Sequence, residues 1–173
     1  MSLEAHKGSA PKALRFAVIT ISDTRDASTD RGGPFLVESV TGAGHTVTLR
    51  EIVKDERSEI EAAVRRAVAH AEVDLVLTTG GTGIAPRDVT YDTLRGVFDS
   101  EIPGFGELFR WLSFREIGAA TILSRALGGV LARKVVLALP GSPKALRLAM
   151  DEIVLKEAGH LVAQARGPVE ARP

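Results

Sequence analysis

The sequence contains no cysteine. This absence excludes a disulfide framework, a thiolate nucleophile, and a zinc or iron–sulfur site held by cysteine. Long apolar runs are also missing: no stretch of 18 apolar residues occurs without a charge, and the start of the chain lacks the apolar run of a secretory signal. We therefore expect a cytoplasmic protein that has no membrane partner.

The chain has no surplus of charge of either sign. Lys and Arg together number 22, as do Asp and Glu, so the formal net charge is zero. Proteins that coat nucleic acid need a basic surplus, and we expect no nucleic-acid partner. The 173 residues suffice for one domain of ordinary size. We predict a single domain at residues 15–167, between a flexible N-terminal tail at residues 1–14 and a C-terminal tail at residues 168–173.

Strand and helix patterns alternate along the chain. Nearly continuous apolar runs, typical of strands buried on both faces, occur at residues 16–21, 73–79 and 134–139. Residues 45–53 alternate loosely and predict a further strand. Helical spacing is found in five stretches, at residues 34–42, 56–71, 90–98, 103–115 and from 143 onward. This alternation predicts an α/β protein whose parallel sheet carries helices on its faces.

Glycines are concentrated after one of the buried strands, at Gly80, Gly81 and Gly83. Open parallel sheets bind ligands at the carboxyl ends of their strands. Three glycines in four residues let the backbone approach an anion, and the Thr hydroxyls and free N–H groups beside them suit a phosphate. A tight strand-to-helix turn without a ligand explains the glycines equally well. The spacing matches neither a Walker A loop nor a dinucleotide fingerprint, which argues against a nicotinamide-dependent oxidoreductase.

Two aspartates follow strand or loop ends at the same predicted edge of the sheet. Asp55 comes directly after the strand at residues 45–53, and Asp88 lies five residues past Gly83. Two carboxylates beside a phosphate loop can hold Mg²⁺, which prefers oxygen ligands and shares them with substrate phosphates. Each aspartate could instead cap the helix that starts just after it.

The strand at residues 134–139 ends in a proline-rich turn. Ser142 and Pro143 are typical of an N-cap followed by a first-turn proline, and Gly141 permits close approach. The start of the following helix would offer free N–H groups to an anionic ligand. Lys144 adds a positive charge there, although a solvated lysine is the simpler interpretation.

Aromatic residues are scarce, at 5% of the chain, yet four of the six Phe and the only Trp lie between residues 98 and 114. Four residues of this stretch form an apolar stripe that faces the core at helical spacing: Phe105, Leu108, Phe109 and Leu112. Trp111 and Phe114 lie partly off it. This second apolar face indicates packing against another subunit or, equally, a helix covered on both sides within one chain. The four His show no metal-ligand spacing.

Three motifs, taken in order, resemble the MoaB/MogA family of molybdenum cofactor biosynthesis proteins. They are Thr78-Thr79-Gly80-Gly81-Thr82-Gly83 with Arg87-Asp88-Val89-Thr90, then Glu101-Ile102-Pro103-Gly104-Phe105-Gly106-Glu107, then Leu139-Pro140-Gly141-Ser142-Pro143-Lys144. Each motif alone is moderately specific, whereas their order and spacing together are strong. The resemblance runs from about residue 15 to residue 167. Residues 109–118 and 122–126 are more similar to the MoaB branch than to the MogA branch.

The resemblance implies a three-layer α/β/α sandwich with a mostly parallel central sheet. It also implies a homo-oligomer, a trimer or in the MoaB branch often a hexamer. The implied reaction is the adenylylation of molybdopterin with Mg-ATP, which gives adenylylated molybdopterin and pyrophosphate. A protein of the same pathway that binds the pterin without catalysis is the alternative.

The resemblance also assigns residues. Asp55 and Asp88 match the two functional aspartates of the family, as catalytic residues and as ligands of Mg²⁺. The substrate- and nucleotide-binding positions that match are Thr79, Gly80, Gly81, Thr82, Gly83, Pro140, Gly141 and Ser142, with Ser22, Asp23 and Ser124 as weaker assignments. This set needs no strong general base, because a phosphate monoester has a second pKa near 6 and is already ionised at pH 7.

Overall fold

The computed structural model describes residue 11 and residues 13–167. In this part of the chain, six strands form one sheet with the spatial order β2-β1-β3-β6-β5-β4. The strands are β1 (Arg15–Ile21), β2 (Thr46–Val53), β3 (Leu75–Thr79), β4 (Ser100–Glu101), β5 (Leu127–Leu131) and β6 (Lys134–Leu139). The predicted C-terminal tail and most of the predicted N-terminal tail lie outside the described residues. Leu14, the last residue of the N-terminal segment, is buried in the core.

Helices cover both faces of the sheet. They are α1 (Gly32–Gly42), α2 (Arg57–Ala69), α3 (Thr90–Val97), α4 (Pro103–Ile117), α5 (Pro143–Ala149) and α6 (Leu155–Arg166), with a 3₁₀ helix at Gly118–Leu123 and a π-helical turn at Met150–Val154. Phe16 and Val18 of β1 pack with α1, α4, α5 and α6, whereas Ala17 and Ile19 pack with α2 and α3. The three-layer α/β/α sandwich is therefore confirmed. None of the described helices has the length and apolar character needed to cross a membrane.

Of the six described strands, five run in one direction and β5 runs in the opposite one. β2, β1, β3 and β6 run in one direction, and β5 runs antiparallel to both β6 and β4. The hairpin between β5 and β6 turns at Ala132 and Arg133, which have φ values of 51° and 61°. Positive φ at both central residues is the geometry that matches the twist of a two-residue hairpin.

Strand β5 has no counterpart in the sequence prediction, because Gly128 and Gly129 interrupt any strand pattern. The structure explains both glycines. A Cβ atom on Gly129 would collide with the ring of Phe98, and one on Gly128 would lie 2.8 Å from Leu137 Cδ2 and 3.2 Å from Phe105 Cβ. The aromatic side chains therefore occupy the space that strand side chains would otherwise fill.

Helix α4 buries one face and exposes the other. Phe105 and Phe109 are buried, as predicted, but Leu108 is exposed, so its place in the core stripe was predicted wrongly. Trp111 and Phe114 are 59% and 58% exposed. Among the described residues, Arg115 lies over the Trp111 ring, 5.4 Å from its centroid, but most of this second face is exposed, which favours packing against another subunit.

Candidate functional site

The carboxyl ends of the four parallel strands meet at one edge of the sheet. Strand register brings Ile21 beside Val53, Thr20 beside Thr79, and Thr79 beside Leu139. The loops that follow these strands enclose a cleft of about 770 Å³. Seven of the predicted site residues line it: Ser22, Asp23, Asp55, Thr79, Gly80, Gly81 and Gly141.

The glycine loop after β3 has a backbone that only glycine adopts readily. Gly80 has φ of 108° and Gly81 has φ of 62°. A Cβ atom on Gly81 would collide with Thr90 Oγ1 and lie 2.7 Å from Asp55 Oδ1. The loop is thus a tight turn, and the missing side chain lets the backbone of Gly81 pack directly against the Asp55 carboxylate and the Thr90 hydroxyl.

Asp55 is buried at the floor of the cleft. Its Oδ1 accepts a hydrogen bond from the backbone N–H of Val89, at 3.4 Å. Burial is the main cause that raises the pKa of Asp55 above its ordinary value, and the negative charge of Asp88 raises that pKa further. In the described part of the chain α2 begins after Glu56 with no side-chain cap, so the capping role suggested for Asp55 is wrong.

Asp88 forms two hydrogen bonds within its own loop. Its Oδ2 accepts from the N–H of Ala85 at 2.9 Å, and its own N–H donates to the carbonyl oxygen of Ala85 at 2.9 Å. A Cβ atom on Gly83 would lie 2.5 Å from Asp88 Oδ2, so the glycine makes room for this carboxylate. Helix α3 starts after Val89 without a side-chain cap in the described residues, which makes the capping alternative wrong for Asp88 as well.

The donor set around the glycine loop fits Mg²⁺. It consists of the two carboxylates and Thr90 Oγ1, which is buried and has no hydrogen-bond partner among the described residues. These are hard oxygen donors of the kind that Mg²⁺ prefers. Within residues 13–167, no group of three or more His, Asp or Glu is arranged as a complete metal cage. An ion held by Asp55 and Asp88 would therefore share its remaining ligands with substrate phosphates and water.

Arg87 binds Asp23, one of the carboxylates that line the cleft. Its guanidinium donates to both carboxylate oxygens of Asp23, at 2.9 Å each, and to Glu56 Oε1 at 2.8 Å. The hydrogen bonds from Arg87 lower the pKa of Asp23 below its ordinary value. Asp23 Oδ1 also accepts from the N–H of Asp55, at 3.2 Å. The predicted site residue Asp23 is therefore bound to its protein neighbours at the cleft mouth.

Several other predicted site residues organise the loops. Ser22 Oγ accepts from the N–H groups of Thr24 and Arg25, and Thr79 Oγ1 donates to the carbonyl oxygen of Pro140 at 3.3 Å. Ser142 caps α5, as predicted, by accepting from the N–H of the third helical residue. The predicted positions that do not line the cleft are Thr82, Gly83, Asp88, Ser124, Pro140 and Ser142.

Arg125 is a site residue that sequence reasoning missed. Its Nε donates to the carbonyl oxygen of Gly83 at 2.8 Å, and its Nη1 forms an ion pair with Asp92 at 3.0 Å. The guanidinium also lies over the ring of Tyr91, 5.0 Å from its centroid. These partners are more than 30 residues away in sequence, so no local pattern indicates the role. The neighbouring predicted residue, Ser124, has a buried hydroxyl without a partner in the described residues.

Comparison with known proteins gives concordant results. Residues 17–160 match the family described as "Probable molybdopterin binding domain". The chain is 51% identical over 162 residues to molybdenum cofactor biosynthesis protein B of Bacillus cereus, covering 93% of this chain and 96% of that protein. Among solved structures, a molybdenum cofactor biosynthesis protein B is similar with a TM-score of 0.87 and 49% identity, covering 91% of this chain and 98% of that one. The tungsten cofactor synthesizing protein MoaB from Pyrococcus furiosus is similar with a TM-score of 0.81 and 37% identity, covering 91% and 99%.

Proposed function

The chain belongs to the MoaB/MogA family, is more similar to its MoaB branch than to its MogA branch, and has a role in molybdenum cofactor biosynthesis, and we propose that it adenylylates molybdopterin with Mg-ATP. In this reaction an oxygen of the terminal phosphate of the pterin attacks the α-phosphorus of ATP. The bond from the α-phosphorus to the oxygen that bridges it to the β-phosphate breaks, and pyrophosphate leaves. A new phosphoanhydride bond joins the pterin to AMP, so phosphorus and charge are balanced without an oxidant or reductant.

The observation that carries the proposal is that both carboxylates lie against the glycine loop: a Cβ atom on Gly81 would lie 2.7 Å from Asp55 Oδ1, and one on Gly83 would lie 2.5 Å from Asp88 Oδ2. The negative charge of Asp88 raises the pKa of the buried Asp55 carboxyl, so the two groups act on each other at the glycine loop. Like charges in a partly buried site favour a cation between them. When bound there, Mg²⁺ would neutralise phosphate charge, which is the main requirement of phosphoryl-type transfer.

Hydrogen bonds and bare backbone of the chain orient the two carboxylates and the substrate phosphates. The N–H of Val89 fixes one oxygen of Asp55, and the internal hydrogen bonds of the loop fix one oxygen of Asp88. Gly80 and Gly81 bring bare backbone to the floor of the cleft, where a phosphate can approach closely. The phosphate nucleophile is already ionised, and positioning then provides most of the rate enhancement.

The direct test is pyrophosphate release on mixing the protein with molybdopterin and Mg-ATP. We expect release by the native protein and by Glu72→Gln, which removes an exposed carboxylate just before the opposite, amino end of β3, and none by Asp55→Asn or Asp88→Asn. No release by native protein that still binds molybdopterin would overturn the enzymatic role and favour a non-catalytic pterin-binding protein. Native activity in both site variants would overturn the assignment of the two aspartates.

We also propose that the protein is a homo-oligomer, a trimer or a hexamer, that buries the exposed side of α4. The large apolar side chains exposed there and on the following 3₁₀ helix are Leu108, Trp111, Phe114, Ile117, Ile122 and Leu123. A continuous apolar surface of this kind is typical of an interface.

A further inference from the structure

The cleft has a basic side that the proposed reaction centre does not use. Arg31, Lys144 and Arg147 line it from the starts of α1 and α5, and we call these three residues the basic wall. Arg25 also lines the cleft, but its guanidinium donates to the carbonyl oxygen of Thr29, at 3.2 Å. The basic wall therefore stands apart from the carboxylates at the glycine loop.

The two helix starts that carry the basic wall face each other. A Cβ atom on Gly32 would lie 3.4 Å from Leu146 Cδ1 of α5 and 3.3 Å from Thr79 Cγ2 at the end of β3. The guanidinium of Arg147 lies over the ring of Phe35 in α1, 5.5 Å from its centroid. Arg31 and Lys144 line the same cleft as Thr79 and Gly80, where β3 ends and the glycine loop begins.

The positive charge of the basic wall is not compensated. The side chains of Arg31 and Lys144 make no hydrogen bond or ion pair with any residue that the structure describes. Of the acidic residues that line the cleft, Asp23 is paired with Arg87, and Asp30 is paired with Arg50 at 3.0 Å. This leaves Asp55 as the unpaired carboxylate, in a chain whose net charge is zero.

Acidic residues of a neighbouring groove form no described ion pair with the basic wall. Lys144 and Arg147 also border a groove that Glu116, Asp151 and Glu152 line. Among the described residues, none of these carboxylates forms an ion pair with either cation, and Glu152 is paired with Lys156 at 2.7 Å. Uncompensated cations in a cleft concentrate anions there.

We propose that the basic wall binds the β- and γ-phosphates of the nucleotide and holds the pyrophosphate group as it leaves. The inference rests on the proposed adenylylation, which expels this group. Negative charge builds up on the leaving group as the bond to the α-phosphorus breaks, and fixed cations beside it stabilise that charge. The two carboxylates at the glycine loop repel phosphates unless a metal ion intervenes, whereas the basic wall attracts them directly.

Titration with inorganic pyrophosphate, followed by calorimetry, tests the basic wall without turnover. The variant Arg31→Gln/Lys144→Gln removes two cations from the cleft. The matched control Arg65→Gln/Arg95→Gln removes two exposed cations outside it, so both variants have the same net charge. We expect the cleft variant to bind pyrophosphate about tenfold more weakly than the native protein, the loss that follows from removing charged hydrogen-bond donors at a partly exposed site. The control should stay within about twofold, because distant surface charges are screened by salt.

Two results would overturn the assignment: no pyrophosphate binding by the native protein, or equal affinities of the cleft variant and its control. A molybdopterin titration separates the two phosphate sources. Weaker molybdopterin binding by the cleft variant, with pyrophosphate binding unchanged, would assign the basic wall to the pterin phosphate and overturn the nucleotide assignment. Failure of the proposed reaction gives a different result. If native protein binds pyrophosphate at the basic wall but releases none from ATP, the adenylylation proposal is wrong and the polyphosphate site is still supported.

Discussion

The guanidinium of Arg125 donates a 2.7 Å hydrogen bond to the backbone carbonyl oxygen of Asp88. A second nitrogen of the same side chain binds the carbonyl oxygen of Gly83, and the backbone N–H of Arg125 donates to that of Thr82 at 3.2 Å. One residue therefore holds both ends of the loop that carries one of the two proposed catalytic carboxylates. Because a guanidinium is planar and presents several donors in a fixed geometry, a lysine cannot reproduce all of these contacts.

Replacement of Arg125 tests this positioning role. We expect Arg125→Ala to lower kcat/KM for pyrophosphate release by about 10- to 100-fold, the usual cost of losing a residue that orients a reacting group. Arg125→Lys keeps the charge and should recover only part of the loss. Arg95→Ala, which removes an exposed arginine paired with Glu101, is the control. An Arg125→Ala protein that loses thermal stability but keeps native kcat/KM would show a purely structural role.

Replacement of Gly81 tests the geometry of the glycine loop. Its φ of 62° and the collision of a Cβ atom with Thr90 Oγ1 make Gly81→Ala unfavourable for two independent reasons. We expect a loss of about 1–3 kcal/mol in the free energy of unfolding, from backbone strain of this kind, together with loss of pyrophosphate release. Urea unfolding followed by circular dichroism measures the first effect.

Gly96→Ala is the matched control for that substitution. Gly96 lies within α3, and a Cβ atom there meets nothing within 4 Å. Alanine in a helix interior should raise the free energy of unfolding by about 0.5–1 kcal/mol. A Gly81→Ala protein as stable and active as Gly96→Ala would contradict the strained loop.

The parallel half of the fold was predictable because its strands are buried on both faces. The apolar run at residues 134–139 coincides with β6, and the run at residues 16–21 lies within β1. Burial on both faces leaves an unbroken apolar signal in the sequence. Strand β5 leaves no such signal, because the ring of Phe98 takes the place of a side chain at Gly129, and Leu137 and Phe105 take it at Gly128.

The candidate site was predictable only where its residues follow strands directly. Asp55 and the glycine loop have such positions, and both line the cleft. Arg125 and Thr90 do not follow a strand. The role of Arg125 depends on contacts with segments that are distant in sequence, and that of Thr90 depends on the burial of its hydroxyl. The two capping alternatives failed because each carboxylate accepts from another backbone N–H: Asp55 from the distant Val89, and Asp88 from Ala85 of its own loop.

Asp55→Asn should stabilise the fold at neutral pH. Burial and the charge of Asp88 raise the pKa of Asp55 above its ordinary value of 3.8. A raised carboxyl pKa means that the folded state binds the proton more tightly than the unfolded state, so stability is lost as pH rises from 3.8 through the folded pKa. Asparagine removes this cost. The gain in the free energy of unfolding should be complete at neutral pH and disappear below 3.8, measured by urea unfolding across this range.

Asp74→Asn provides the opposite sign as a control. Burial opposes ionisation of Asp74, but hydrogen bonds and charge from Arg15 and Arg166 outweigh it and lower the pKa of its carboxyl. Its ion pairs therefore stabilise the fold above the ordinary pKa, and Asp74→Asn should be destabilising at neutral pH. If Asp55→Asn is also less stable than the native protein there, the interpretation of Asp55 as a destabilised functional group is wrong.

Trp111 reports directly on self-association, since it is the only Trp in the chain. We expect light scattering to give the mass of three or six chains of 18.4 kDa, and Trp111 fluorescence to be that of a buried indole despite its 59% exposure in the single chain. Trp111→Ser/Phe114→Ser should dissociate the assembly, because burial of large aromatic side chains dominates interface energies. Ile84→Ser removes an exposed apolar side chain from the glycine-loop region and should leave the mass unchanged. A native mass of 18.4 kDa together with the fluorescence of a solvent-exposed indole would contradict the proposed interface, because both measurements would then indicate a monomer.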